Sequence, residues 1–403
     1  MKINSLNKLY LLIAIVLSIL LLSRLGYDIW KEKEIPLTYY FLNTEKQKEM
    51  LTKIEKFEWL AETSADETCP VEVVYGSFIL SDNTTAWIPS EQYLNDSWGA
   101  SSSGTMVVGD DKKKVPERMQ ITWFSYAENK FFSGDFELPQ KKMYDIFKKD
   151  YGTTMGMDGV EYKNEYNTLT VAFAPEGLVT LWIGGIGNKE IGTYQGHETF
   201  DIEWGDFSKN LDRKEVIKNY QKDMPLFVQE EIANNKINNT YFKNRLKRYH
   251  FKIGTNRADF KIYNYDIFFM NNEVISNTNT GIEFLNDTVV GKAVPISMVI
   301  FVQDQFSRQL EVRIWVDLLD GKTTSENDHI KDPLEKRNFN NQLMERFKTF
   351  FDKNENVELY IKFNKEIIKS SIKKPVYSGK VYLKSPTSEV EIPNSKVEVY
   401  DAE

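Results

Sequence analysis

The sequence predicts a β-rich α+β protein, with an N-terminal membrane anchor followed by two antiparallel-sheet domains that carry one main helix each. Three observations lead there. Residues Leu9 to Leu22 form an almost unbroken apolar run with no equal elsewhere in the chain. Beyond it, short segments rich in β-branched and aromatic residues alternate with turn signals, and few stretches show helical spacing. The same succession of strand and helix signals runs through both halves, which points to a duplicated unit.

The anchor, residues 1–30, comes first. Lys2 and Lys8 precede the apolar run and Arg24 follows it. A bilayer core needs roughly 17–25 apolar residues. Leu25, Gly26 and Tyr27 complete the span if Arg24 snorkels, giving membrane contact through residues 9–27. The alternative is export after cleavage of a signal peptide, but Ser23 to Asp28 supply a poor small-x-small site. No cysteine follows the run, so a lipid cannot be attached there. The basic N-terminal flank predicts a C-terminal bulk in the periplasm, a bias that Arg24, Lys31 and Lys33 weaken.

Composition bounds the rest. The chain has 403 residues, 27% of them charged, and a net charge of -8. Nucleic acid demands concentrated positive charge, so it is not an expected partner. Aromatic residues make up 13% of the chain, ample for ordered cores. Cys69 is the only cysteine, which excludes an intrachain disulfide. Beside Pro70 it reads as a buried or edge thiol.

Residues 31–56 form a stalk. Its helix, Thr44 to Phe57, is capped by Thr44 and carries Met50, Leu51, Ile54 and Phe57 on one face. Residues 57–207 make the first β-rich domain. Val71 to Tyr75, Ser77 to Leu80, Gln120 to Tyr126 and Lys130 to Leu138 read as strands. A helix then opens at Pro139 with Met143, Ile146, Phe147 and Tyr151 inward. Thr168 to Phe173 and Leu178 to Ile183 flank Ala174-Pro175-Glu176-Gly177 as the clearest hairpin. Gly184, Gly185 and Gly187 lead into another strand without the Lys-Ser/Thr pair of a phosphate loop, so they read as a turn.

Residues 208–249 turn helical. Ser208 caps one helix, Pro225 opens a second, and Lys243, Arg245, Lys247 and Arg248 form a basic, solvated end. Residues 250–403 return to strands, with one helix from Asn340 to Phe351 and a C-terminal hairpin of Lys380 to Lys384 with Lys396 to Tyr400. Phe57 and Ala65-Asp66 are echoed by Phe251 and Ala258-Asp259. Val107-Val108-Gly109 and Val115-Pro116 are echoed by Val289-Val290-Gly291 and Val294-Pro295. After each Val-Pro come two strands and a helix bearing Phe147 or Phe347.

Several ordered blocks go further. Glu58-Trp59-Leu60-Ala61, Trp98-Gly99, the stretch from Ile121 to Phe132 and the stretch from Val171 to Gly185 resemble the bacterial domain-of-unknown-function family 2931, over about residues 57–205. The C-terminal half would be a degenerate second copy. The matching positions include Trp123, Ser125, Glu128, Lys130, Phe131, Pro175, Gly177 and Trp182. Glu176 stands where the family's turn usually has glycine. The resemblance implies export, often as a lipoprotein, and a β-rich fold, but no reaction.

Ser125, Glu128 and Lys130 offer a hydroxyl, a carboxylate and an amine for acid-base work. Their simpler reading is a turn in which Lys130 pairs with Glu128. His197, Glu198, Asp201 and Glu203 come nearest to a metal set, yet His250 and His329 stand apart and no HExxH, CxxC or EF-hand spacing occurs, so neither metal nor cofactor is expected. No Gly-x-Ser-x-Gly elbow marks a nucleophile. Trp87, Tyr93 and Trp98, in a polar loop from Ser81 to Gly104, are the candidate binding residues. The sequence therefore predicts a non-catalytic cell-envelope protein that acts by binding an unknown protein partner, in concrete form an immunity-type partner of an exported toxin. An envelope hydrolase centred near Ser125 and Glu128 and a structural component of an envelope assembly are the alternatives.

Overall fold

The computed structural model describes residue 10 and residues 13–24, 37–95, 98–99, 104–106, 109–156, 158–209, 211–317, 332–364 and 377–402. Residues 13–24 are helical. Among the described residues no helix is long and apolar enough to cross a membrane. Leu9, Leu11, Leu12 and Leu25 to Tyr27, which complete the expected span, lie outside the described residues.

Helix α1 (Thr44–Ile54) leads into the first half. Its principal elements are β1 (Leu60–Ala65), β2 (Val71–Leu80), β3 (Pro116–Ser125), β4 (Lys130–Glu137), α2 (Gln140–Lys148), β5 (Tyr166–Ala174), β6 (Leu178–Gly185) and β7 (Asn188–Gln195). Helices α3 (Arg213–Lys222), α4 (Leu226–Ala233) and α5 (Thr240–Arg245) connect it to the second half. There the order is β8 (Phe251–Thr255), β9 (Lys261–Phe269), β10 (Pro295–Gln303), β11 (Gln309–Trp315), α6 (Pro333–Phe351), β12 (Val357–Phe363), β13 (Tyr377–Lys384) and β14 (Lys396–Asp401).

The pairings run in the same order through both halves. β1 lies parallel to β5, and β8 parallel to β12. The series β5–β6–β7 and β2–β3–β4 are antiparallel, as are β12–β13–β14 and β9–β10–β11. Val115-Pro116 and Val294-Pro295 stand at the starts of the corresponding strands β3 and β10. The closing strand differs. β14 pairs with both β13 and β11, whereas in the first half β7 pairs with β6 and the separate strand His197–Glu198 pairs with β4.

One sheet crosses from half to half, where Asn188 of β7 pairs with Val274 of the short strand Val274–Ser276. The β5–β6 hairpin sits between two cores. Leu169, Val171, Phe173, Val179, Leu181 and Ile183 pack with Met119, Ile121, Trp123 and the α2 residues Met143 and Phe147. Ala172, Ala174, Leu178 and Trp182 belong to the other core, with Met298, Ile300, Leu343 and Phe347. A strand buried on both faces reads as a continuous apolar run rather than an alternation. That is why this hairpin stands out in the sequence.

The stalk helix packs as part of the first half. Glu55, just past α1, accepts from the Tyr144 hydroxyl at 2.6 Å and pairs with Lys148, and Phe57 stacks on Phe147 at 5.5 Å. The connector also lies against the domain: Ile217, Met224 and Val228 cover Phe124, Tyr126 and Phe131 on the outer face of β3–β4.

Several boundaries differ from the sequence reading. Asn43, not Thr44, caps α1 by accepting from the Lys46 N–H at 3.0 Å, and Asp212, not Ser208, caps α3 by accepting from Glu215 at 3.0 Å. Helix α6 starts at Pro333, ahead of Asn340, because Asp332 caps it and its first turns carry no buried side chain to reveal them. The expected C-terminal hairpin is not closed at Lys384. That end of β13 pairs with Glu389–Glu391, while β14 meets β13 only at Tyr377–Gly379.

Candidate functional site

The turn from β3 to β4 brings Ser125, Glu128 and Lys130 near one another. The Ser125 hydroxyl, 3% exposed, donates to Glu128 Oε2 at 2.9 Å. Glu128 Oε1 accepts the N–H of Glu176 at 3.0 Å. Burial raises the Glu128 carboxyl, while the bonds from Glu176 and Ser125 pull it down. Lys130 does not pair with Glu128 as expected. The strand His197–Glu198 lies beside β4, and Glu198 takes the ammonium at 2.8 Å.

These contacts are a clamp. Glu176 has φ +57, the left-handed region that favours glycine and costs other residues about 1 kcal/mol or more. Two contacts offset that cost. Its N–H meets Glu128, and its carboxylate accepts the N–H of Asn239, at the start of α5, at 3.2 Å. Glu176 thus ties the β5–β6 turn to the β3–β4 turn and to the connector. Within the turn Leu178 donates to the Pro175 carbonyl at 3.3 Å. Gly177 has φ +73, and a Cβ there would lie 2.6 Å from the Gly196 carbonyl oxygen. The remaining motif residues build packing: Trp123 lies against Phe173 at 5.2 Å, and Phe131 against Phe124 at 4.7 Å.

The three aromatic candidates separate. Trp98 is not an exposed anchor, being 1% exposed. Its loop turns inward at the junction of the halves, where Asn188 Nδ2 donates to the Gly99 carbonyl at 2.7 Å and the Asn272 amide donates to that of Trp98. The Trp98 ring meets Trp182 edge-on at 4.9 Å and lies under the Arg245 guanidinium at 4.8 Å. Gly99, at φ +82, is pressed against Trp182; a Cβ would lie 2.8 Å from that ring. Tyr93 stacks on Tyr220 of the connector at 4.9 Å, and burial pushes its phenol up to about 12. Its polar loop is covered in part by helix α3.

Trp87 remains at the surface, 48% exposed, on the edge strand Thr85–Trp87. Its ring meets Tyr75 edge-on at 5.6 Å, and Tyr75 is itself 44% exposed. Tyr75 was not a candidate from sequence. The segments Val71–Tyr75 and Ser77–Leu80 are one strand, β2, with a register shift between Val73 and Tyr75. An extra residue in one strand inverts the faces beyond it. Val71 and Val73 point into the core before the bulge, Phe78 and Leu80 after it, and Tyr75 is turned outward beside Trp87. The change of inward residues from odd to even positions is the signal that announces this bulge.

His197 is exposed, and its neighbour Glu198 is engaged by Lys130. Among the described residues no three of His, Cys, Asp and Glu gather as metal ligands. His329 lies outside the described residues. Cys69 is buried, with its thiol pushed up by burial.

The first half is thus a two-layer β domain with connector helices on its outer face and with Tyr75 and Trp87 exposed side by side. Residues 43–234 match the model of the family described as "Protein of unknown function (DUF2931)". The match reaches beyond 57–205 at both ends, taking in α1 and the helices through α4, which pack onto the strands through residues such as Leu51 and Val228. It does not extend to the second half, so the expected second copy has no support from the family. No curated protein and no solved structure matches the chain.

Proposed function

We propose that this is a non-catalytic cell-envelope protein, held at the membrane through residues 9–27 with its bulk in the periplasm, that acts by binding another protein through the Tyr75–Trp87 edge. The observation that carries the reading is the bulge in β2. It turns a large aromatic side chain outward at a sheet edge, beside a second exposed aromatic. Binding energy concentrates in such anchors. The Ser125–Glu128 clamp supports contact over hydrolysis, since the hydroxyl donates to a carboxylate engaged in holding a turn. An exported toxin is the concrete partner class that fits this compartment, with the protein protecting against it. The helix at residues 13–24 supports the anchor, with Ile13, Leu17, Leu20, Leu21 and Leu22 exposed rather than packed. The shared strand order supports reading the halves as two copies of one unit.

The test is recovery of co-purifying protein with the tagged, membrane-extracted chain. Trp87→Ala should weaken partner retention by about 2 kcal/mol at an unchanged melting temperature, while Glu128→Gln should retain the partner. Undiminished retention by Trp87→Ala, with loss of biological function in a folded Glu128→Gln protein, would replace this reading with the hydrolase. For the anchor, the chain should stay with membranes through high-salt and alkaline washing. A mature N-terminus near Gly26 would substitute export after cleavage.

A further inference from the structure

Between α2, β7 and the segment from Val274 to Lys292 lies a cleft of about 680 Å3. Several of its charges already have partners. Arg248 donates from Nη1 to Glu273 Oε2 at 2.9 Å and from Nη2 to Glu190 Oε2 and Glu273 Oε1, both at 2.8 Å. Asp287 accepts the N–H groups of Val289 and Val290 at 2.7 and 3.2 Å. Lys292, 1% exposed, donates to the carbonyls of Phe251, at 2.9 Å, and Asp287.

Three lysines on the same cleft are held differently. Lys142 Nζ donates to the carbonyls of Glu190 and Ile191 at 3.0 and 2.9 Å, and Lys149 Nζ to that of Asn279 at 3.1 Å. Lys189 Nζ lies over the Tyr166 ring at 5.3 Å. Among the described residues none of the three forms an ion pair. Carbonyl oxygens and a ring face orient an ammonium group without neutralising it. Burial pushes Lys189 down to about 8; Lys149 and Lys142 act in the same direction and Glu273 opposes them. On the same wall, the Asn279 side-chain N–H group is buried and meets no acceptor among the described residues. Ile146, Ile275 and Phe284 supply apolar lining to the cleft, which Glu283 and Asp287 also line.

We propose that this cleft binds a phosphomonoester, its dianionic head among Lys142, Lys149 and Lys189 and its organic part along Ile146, Ile275 and Phe284. Three ammonium groups lining one cleft, each without an ion pair among the described residues, call for an anion with several oxygens and more than one charge, which a phosphate head supplies and a single carboxylate does not. The carboxylates of Glu283 and Asp287 on the lining disfavour a second phosphate. This site is separate from the Tyr75–Trp87 edge and does not depend on it.

The full-length protein in detergent is titrated calorimetrically with glycerol 3-phosphate and, separately, with dihexanoyl phosphatidic acid below its critical micelle concentration. Saturable binding is expected near pH 7, weaker by about tenfold or more in Lys189→Met and near pH 9.5, where Lys189 is neutral and the phosphate keeps its charge. Lys189→Arg should bind at both pH values. Lys141→Met, on the exposed face of α2 where Lys141 pairs with Asp145 at 2.8 Å, should match the parent. Tighter binding of phosphatidic acid assigns a lipid head group, and tighter binding of glycerol 3-phosphate a soluble ester. No saturable binding of either probe overturns the proposal. So does parental affinity in Lys189→Met, an equal loss in Lys141→Met, or the same pH dependence in Lys189→Arg as in the parent.

Discussion

The two halves run through the same succession of seven principal strands and one helix, yet they close differently. In the second half β14 is continuous and joins β13 to β11. In the first half the corresponding stretch is split into β7 and His197–Glu198, so β2–β3–β4 forms its own sheet. The connector helices cover the outer face of this separate sheet, and its edge opposite His197–Glu198 carries Trp87. Strand order follows from the pattern of apolar segments. Surface chemistry follows from local departures: a bulge, a split strand and a left-handed Glu176.

The comparison can be broken at its cores. Phe347 is 0% exposed and Phe147 8%. Truncation to alanine should cost each half roughly 3–5 kcal/mol, with Phe347 at the upper end. Because β5–β6 belongs to both cores, urea unfolding followed by circular dichroism and by tryptophan fluorescence should coincide in both variants. Separate transitions would show two independent domains. A midpoint within a degree or two of the parent in thermal melts would remove that phenylalanine from the core.

Next in size is the bridge between the halves. Arg248→Met leaves Glu273, 6% exposed, without its cation and should cost about 2–4 kcal/mol. Pairing it with Glu273→Gln in a double-mutant cycle should recover part of the loss, and strict additivity would sink the assignment.

A smaller effect is read by pH. Lys189 holds its proton less tightly when folded (about 8) than at its ordinary value of 10.5. Between these values the unfolded chain binds more protons, so stability rises with pH across this window. Below it, the full penalty for burying the charge applies. The expected rise is about 1–2 kcal/mol, and comparison with Lys189→Met isolates it from Lys142 and Lys292, which burial shifts in the same direction. An equal rise in Lys189→Met would show that other groups cause it. Smallest of all is Glu176→Gly, which relieves the left-handed strain but loses the carboxylate contact to Asn239. Its melting midpoint should correspond to a change below about 1 kcal/mol.

Much of the fold was legible in the sequence, for identifiable reasons. The β5–β6 hairpin announces itself through two largely apolar runs on either side of Pro175, Glu176 and Gly177. Helix α2 shows itself by Met143 and Phe147 on one face. Helix α6 was half seen, because its first turns after Pro333 bury nothing. The candidate site was less legible. Trp98 sits in a polar loop, and nothing local reveals that Asn188 and Asn272 draw it into the junction. Lys142 and Lys149 belong to α2 and its C-cap while Lys189 belongs to β7, and only the packing of α2 beside β7 brings them to one cleft. Tyr75 was within reach, since the shift of inward residues from odd to even positions along β2 is written in the sequence.

The parallel pairing of the first strand in each half has a consequence for synthesis. One edge of β1 pairs with Gly104–Met106, but its other edge stays open until Thr168 to Phe173 have been made, and β8 waits likewise for Val357 to Ile361. Such long loops must close before the contacts reward them, which slows folding toward the millisecond-to-second range. A growing chain that already contains β2, β3 and β4 can zip those neighbours together while the second edge of β1 stays open. Each half is therefore committed late, by the arrival of the strand that follows its helix. A chain interrupted before that point would present an open edge to its neighbours rather than a folded half.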